Sequence, residues 1–178
     1  MNEWVFDAKN GGRISIRHAK VTDASDLYAG FSQVVAEGEW LPANSANSNR
    51  NEWAEWIQRT YGNREVLLVA HVDGEYAGHL SLQPEEWMAS RHVAKLGVIV
   101  TKPYRGLGVG RSLMIAAEDA ARQQRYEKII LSTFDNNFIA KSLYDSLGYR
   151  LIGKRMRHFL MPKGYIDEVL MEKTIVYG

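Results

Sequence analysis

The chain contains no cysteine among its 178 residues. Disulfides, thiolate metal sites and a cysteine nucleophile are therefore excluded, and an acyl transfer carried out here cannot pass through an acyl-cysteine. A reducing compartment suits such a chain. A surplus of charge is also lacking, because 22 Lys and Arg face 21 Asp and Glu. So near a balance supplies no strong field for a phosphate backbone or an anionic membrane surface, and neither nucleic acid nor membrane is an expected partner. Long apolar runs are missing too. The longest, Val66 to Ala70, cannot span a bilayer, and Met1-Asn2-Glu3-Trp4 carries a charge where a signal peptide would be apolar. A cytoplasmic location is expected.

Hydrophobic residues make up 46% of the chain, which at this length fills one core, so a single domain over residues 1–178 is expected. Ile14 and Ile16 alternate with Ser15 and Arg17 as a half-buried strand, and Thr22 and Asp23 offer N-cap oxygens to a helix through Leu27, Phe31 and Val34. Asn and Ser around Pro42 mark a loop from Gly38 to Asn51, before a second helix through Trp53, Trp56 and Ile57. The spacing of these Trp residues reads as core packing. Asp73-Gly74 predicts a tight hairpin between Val66–Val72 and Tyr76–Leu82. His92 to Val100 is a further strand, in which Gly97 signals a bulge or a close approach of the backbone to something bound. A helix from Gly108 through Ala120, a strand from Lys128 to Phe134 and a helix from Ala140 to Leu147 follow, the last capped by Gly148. Strands from Tyr149 to Phe159 and Tyr165 to Ile175 complete the pattern.

The chemistry concentrates at Arg105-Gly106-Leu107-Gly108-Val109-Gly110, where a strand gives way to a helix. Glycines permit a tight turn with several N–H groups exposed, the helix N-terminus adds positive partial charge, and Arg105 and Arg111 add full charges. A diphosphate suits that arrangement. The dinucleotide pattern G-x-G-x-x-G fails, since begun at Gly106 it ends on Arg111 and begun at Gly108 on Leu113. No Gly-Lys-Ser/Thr follows, so the P-loop pattern fails as well.

The segment resembles the GNAT superfamily, whose coenzyme A signature Arg/Gln-x-x-Gly-x-Gly/Ala is met by Arg105, Gly108 and Gly110. Downstream, Asn137, Ala140, Leu143, Tyr144, Gly148 and Tyr149 reproduce the family's Asn-x-x-Ala-x-x-Leu-Tyr-x-x-x-Gly-Phe/Tyr pattern. The resemblance implies an α/β (α+β) fold. Its single mixed, mostly antiparallel twisted sheet of about seven strands is flanked by about four helices, in the order strand, two helices, three strands, helix, strand, helix, two strands. It also implies an N-acetyltransferase that passes the acetyl group of acetyl-CoA directly to a primary amine through a ternary complex, without a metal. The segments Arg91-His92-Val93-Ala94 and Gly164-Tyr165-Ile166-Asp167-Glu168 look like the bacterial branch acting on amino acids and small amines. Protein N-terminal or lysine acetylation and a non-catalytic acyl-CoA sensor are the alternatives. A homodimer pairing the final strand, Val169 to Val176, is a further possibility that an intramolecular sheet explains equally.

By the same resemblance, the strand Leu96 to Val100 splays from the strand starting near Lys128. Pantetheine binds main-chain groups of Val98, Ile99 and Val100, and the diphosphate meets Arg105, Gly106, Leu107, Gly108, Val109, Gly110, Arg111 and Ser112. Asn137 bonds the pantetheine amides or caps its helix. Tyr144 is the expected general acid for the departing thiolate, and a backbone N–H near Val98 the donor to the oxyanion. An alkyl amine is mostly protonated near neutral pH, so a base is needed, from Glu86, His92, Glu37 or Glu39. Glu37, Trp40, Glu86 and His92 are the candidate acceptor contacts.

Overall fold

A computed structural model describes residues 3–43 and 48–175. Expectations touching Met1, Asn2, Val176 and the middle of the loop after Gly38 lie outside the described residues. Within them are eight strands: β1 (Glu3–Asp7), β2 (Arg13–His18), β3 (Val66–Val72), β4 (Glu75–Pro84), β5 (Val93–Val100), β6 (Lys128–Phe134), β7 (Arg150–Met161) and β8 (Gly164–Thr174). Four α-helices are interleaved: α1 (Ala24–Ala36), α2 (Arg50–Thr60), α3 (Val109–Gln123) and α4 (Phe138–Ser146). The strands form one sheet in the order β1-β2-β3-β4-β5-β6-β8-β7. Only the β5–β6 neighbours are parallel.

The sheet therefore has one strand more than expected. The extra one, β1, alternates half-buried Trp4 and Phe6 with exposed Glu3, Val5 and Asp7, a pattern suited to an edge with one covered face. Trp4 is further held by its indole N–H, which donates to Asp119 of α3 at 2.8 Å. The Asp73-Gly74 turn has both residues at positive φ, 49° and 90°, as a primed two-residue hairpin turn requires.

Alternation along the central strands explains the layering. Leu68, Ala70, Leu80, Leu82 and Leu96 face α3, whose Ala116, Ala117, Ala120 and Ala121 let helix and sheet approach closely. Leu67 and Val69 point to the other face, where Leu27 of α1 and Trp53 and Ile57 of α2 cover them. Each such buried aliphatic side chain contributes about 1.5–3 kcal/mol relative to exposure. With both faces covered, nearly all of β3 is buried.

Two expectations are corrected. Asp23 precedes α1 but makes no cap bond to it. Its carboxylate instead accepts from the Lys20 N–H at 2.7 Å and pairs with Arg17, also at 2.7 Å, because a single 3-10 turn, Val21–Asp23, comes first. The final strand β8 lies between β6 and β7, so its main-chain groups are taken on both sides and cannot pair across a two-fold.

The parallel β5–β6 pairing stops after Val93–Lys128, Ala94–Ile129 and Lys95–Ile130. On its other side β5 stays in register with β4 up to Val100. That register leaves no room beside Gly78, where an added Cβ would run into the Ile99 carbonyl oxygen and the Val100 Cα of β5. We predict that Gly78→Ala lowers stability by about 1–3 kcal/mol. Gly110→Ala, whose Cβ would sit 3.5 Å from a Leu143 methyl, leaves the thermal midpoint unchanged or higher. Melting curves of the two variants check this, and equal midpoints would show that β4 and β5 can move apart.

Candidate active site

Main-chain direction on β5 follows from one bond. Thr101 N–H donates to Ala77 O at 2.9 Å, so the residues of β5 at Ile99 and Gly97 also address β4. The alternate residues Val98 and Val100 turn their N–H and C=O groups the other way, where β6 has already parted. A cavity of about 560 Å³ fills that gap, with Val98, Ile99 and Val100 on one side and Ser132, Thr133 and Phe134 of β6 on the other.

The glycine-rich turn closes one end. Gly106 and Gly108 sit at φ 77° and 96°, a left-handed conformation that L side chains rarely adopt. Gly108 is the N-cap of α3 and offers no side chain, and the first helical bond runs from Ser112 N–H to Gly108 O at 3.0 Å. The N–H groups of Val109, Gly110 and Arg111 consequently meet no protein acceptor among the described residues, and all three residues line the cavity. Two expected members stand apart. Ser112 is buried with its N–H spent on Gly108, and the Leu107 side chain packs into the core while its carbonyl accepts from Lys9 N–H at 3.0 Å. Lys9 itself lines the cavity, a cation that sequence reading missed.

Helix α4 forms the opposite wall through Asn137, Ala140, Leu143 and Tyr144. Asn137 Oδ1 caps the helix by accepting from Ala140 N–H at 3.1 Å, the second of its two expected roles. Tyr144 is buried, and desolvation pushes its phenol up to about 12. Its hydroxyl has no hydrogen-bond partner among the described residues, so it stays protonated across the working pH range as a free donor in the cavity wall.

Arg105 lines the cavity, with its side chain already engaged by the protein. Its guanidinium grips Glu37 through two bonds of 2.6 and 2.7 Å, and its Nε donates to Val100 O at 2.9 Å. Glu37 also accepts from Trp40 Nε1 at 2.8 Å, and Arg105 lies 5.7 Å from the Trp40 ring centroid. This cluster ties the chain after α1 to the glycine turn, with Trp40 in the cavity wall. Glu37 is thus no free base, since the Arg105 guanidinium holds its carboxyl below the ordinary value. The other expected bases are also removed from the cavities. Glu39 pairs with Lys163 at 3.3 Å on the surface, while Glu86 and His92 are exposed near the start of β5, the end away from the glycine turn.

A second cavity, of about 580 Å³, lies on the α1–α2 face of the sheet and shares Leu41, Gly97, Val98 and Ile99 with the first. Its floor carries His79 and Ser81 of β4, directly across from Ile99 and Gly97. His79 is fully enclosed, burial alone drives its imidazole down to about 3, and its Nδ1 bonds the Tyr76 hydroxyl at 2.7 Å. Gly97 is neither bulged nor at positive φ. A Cβ there would meet only Ser81 Oγ, at 3.4 Å, so the fold would accept a side chain. Of the two readings of this glycine, close approach survives and the bulge does not. Trp53 and Trp56 are core residues, as their spacing suggests, and also line this cavity. Among the described residues no three His, Asp or Glu side chains gather as a metal site.

The Glu37–Arg105 pair yields a pH-dependent prediction. A carboxyl depressed by folding adds stability above its ordinary value, near pH 4.5, and that stability fades as pH falls through the depressed value. Glu37→Gln should therefore cost about 1 kcal/mol at pH 7, a figure discounted for the partial exposure of both side chains. The difference should vanish in acid. Denaturant melts at several pH values measure it, and a penalty independent of pH would assign the effect to packing.

Comparison with known proteins agrees with this architecture. The model of the acetyltransferase (GNAT) family matches residues 34–149. The L-amino acid N-acetyltransferase AaaT of Escherichia coli is 27% identical over 165 residues, covering 90% of this chain and 98% of that protein. Among solved structures, an acetyltransferase of the GNAT family from Streptococcus pneumoniae superposes with a TM-score of 0.85 at 23% identity, over 92% of this chain and 99% of that one. A Salmonella typhimurium structure, yncA, described as a putative acetyltransferase with its cofactor acetyl-CoA, gives 0.86 at 17% identity, over 93% and 95%. The parted strands, the glycine turn at a helix start and the family match over most of the chain lead to one conclusion: the protein belongs to the GNAT family of acetyltransferases.

Proposed function

We propose that the protein transfers the acetyl group of acetyl-CoA to a primary amine of a small molecule, with both bound at once. One observation carries this reading: β5 separates two cavities that meet at Gly97, Val98 and Ile99, so two substrates can reach one point from opposite faces. The acetyl-CoA in the Salmonella structure and the amino-acid activity named for the Escherichia coli relative support it.

The residues of the first cavity fit a coenzyme A thioester. Unpaired N–H groups at the start of α3, together with Arg111 and Lys9, supply positive charge for a diphosphate. Arg105, held by Glu37, braces the turn. Along the gap, Val98 and Val100 offer strand-like bonds to the amides of a pantetheine arm, and Asn137 keeps its Nδ2 available beside them. The thioester supplies an electrophilic carbonyl carbon and a sulfur leaving group.

The Val98 N–H, directed into the gap, donates to the carbonyl oxygen as negative charge develops there. One proton leaves the ammonium through water before attack; as the C–N bond forms and the C–S bond breaks, Tyr144 donates to the departing sulfur and is reprotonated, through water, by the second proton released from the nitrogen. His79 stays neutral and serves as a hydrogen-bonding wall rather than a proton store. The acceptor cavity, at about 580 Å³, suits a small molecule.

Removing the Tyr144 hydroxyl should lower kcat about 100-fold with acetyl-CoA affinity nearly unchanged. Steady-state kinetics of Tyr144→Phe, following free thiol with a panel of amines, tests the assignment, and unchanged turnover would remove Tyr144 from the reaction. Coenzyme binding without turnover on any amine would point to an acyl-CoA sensor. Thermal shifts with acetyl-CoA set against ATP and NAD test the coenzyme itself.

A further inference from the structure

The second cavity is walled by an aromatic cluster whose rings pack against one another. Trp53 lies 5.5 Å from Phe31, 5.3 Å from Trp56 and 5.2 Å from His79, measured between ring centroids. The indole N–H groups are already bonded, Trp53 to Ser48 at 3.0 Å and Trp56 to Glu65 at 2.8 Å. What the two indoles present to a ligand is therefore ring surface, which favours apolar bodies.

Two charged side chains line the same cavity, both on α2 and both exposed. Glu52 is engaged by the α2 N-cap, accepting from Asn49 Nδ2 at 2.9 Å. Arg59 pairs with no carboxylate among the described residues, although Trp56, one turn earlier on the same helix face, lies in the wall beside it. A guanidinium left open beside an apolar box is suited to a carboxylate, which it can hold by two parallel bonds. A polyamine would ask for several carboxylates, and this wall has one, already bonded. Near Gly97 the polar groups are Ser81 and the neutral His79, so no charge there opposes an amine losing its proton.

Resting on the acetyl-transfer reading, we infer that the acceptor is an amino acid with a large apolar side chain. Its carboxylate pairs with Arg59, its side chain lies against Phe31, Trp53 and Trp56, and its amine faces the thioester at Gly97. The carboxylate is the feature that separates this acceptor from an ordinary hydrophobic amine.

Matched pairs test it: L-leucine against isoamylamine, and L-phenylalanine against phenethylamine, with spermidine alongside. The wild-type enzyme should favour each amino acid over its decarboxylated partner by at least tenfold in kcat/KM. Arg59→Ala should bring that ratio close to one, acting mainly through the KM of the amino acid, while Arg59→Lys restores part of it. An unchanged thermal midpoint and acetyl-CoA KM show that the exposed substitution leaves fold and coenzyme site intact. A preference for spermidine, or a ratio that Arg59→Ala leaves as it was, overturns the acceptor assignment while acetyl transfer stands. Failure of the wild-type protein to bind acetyl-CoA would sink the underlying reading and this assignment with it.

Discussion

The site depends on the early parting of β5 from β6. After three paired residues the strands diverge, and the inward groups of Val98 and Val100 lose the partners a continued sheet would give them. An unpaired backbone group kept from water costs about 1–3 kcal/mol, so the gap persists because the surroundings hold it open. Each strand has a firm neighbour on its other side: β5 runs in regular register with β4, and β6 is paired along its whole length with β8. The insertion of β8 beside β6 is thus part of what makes the gap between β5 and β6, since it fixes β6 while β5 follows β4.

The turn after β5 completes the gap at low cost. Arg105 Nε caps the Val100 carbonyl, satisfying one acceptor the departed strand left behind. Its two terminal nitrogens are then directed at Glu37, which keeps a partly buried guanidinium paired. The motif arginine thus holds the turn to the end of α1 from the cavity wall, and the first amides of α3 add the positive partial charge of a helix start. Those amides need no reorganisation to meet an anion, which is the advantage of a helix start over flexible cations.

What was legible in the sequence was what is local. The glycine turn and the Asn137-to-Tyr149 pattern are each contiguous, and their residues do most of their work within one turn and one helix. The hairpin at Asp73-Gly74 was readable for the same reason. Glu37 and Arg105 are 68 residues apart, and nothing in either segment announces the other. Lys9 reaches the cavity only because β1, itself an edge strand with modest alternation, brings it beside Leu107. His79 and Ser81 were hidden differently. Their alternation with Leu80 and Leu82 says that they share a face, but a strand pattern does not say whether that face meets solvent, a helix or a cavity. Glu86 and His92 were candidates as titratable residues before β5, and a strand eight residues long sets its two ends about 25 Å apart.

Gly97 draws these threads together. Its backbone is ordinary extended strand, and a methyl group would fit against Ser81, so neither conformation nor packing demands glycine. What lies over it is the boundary between the two cavities, the one stretch of wall that both share on β5. A side chain there would occupy the space through which an amine on the α2 face approaches a carbonyl held along the β6 face. Near-attack geometry leaves about 3–3.5 Å between reacting atoms, less than a methyl group requires between them. Under the proposed acetyl transfer, the glycine is accounted for by the approach of the acceptor to the thioester where the two cavities meet.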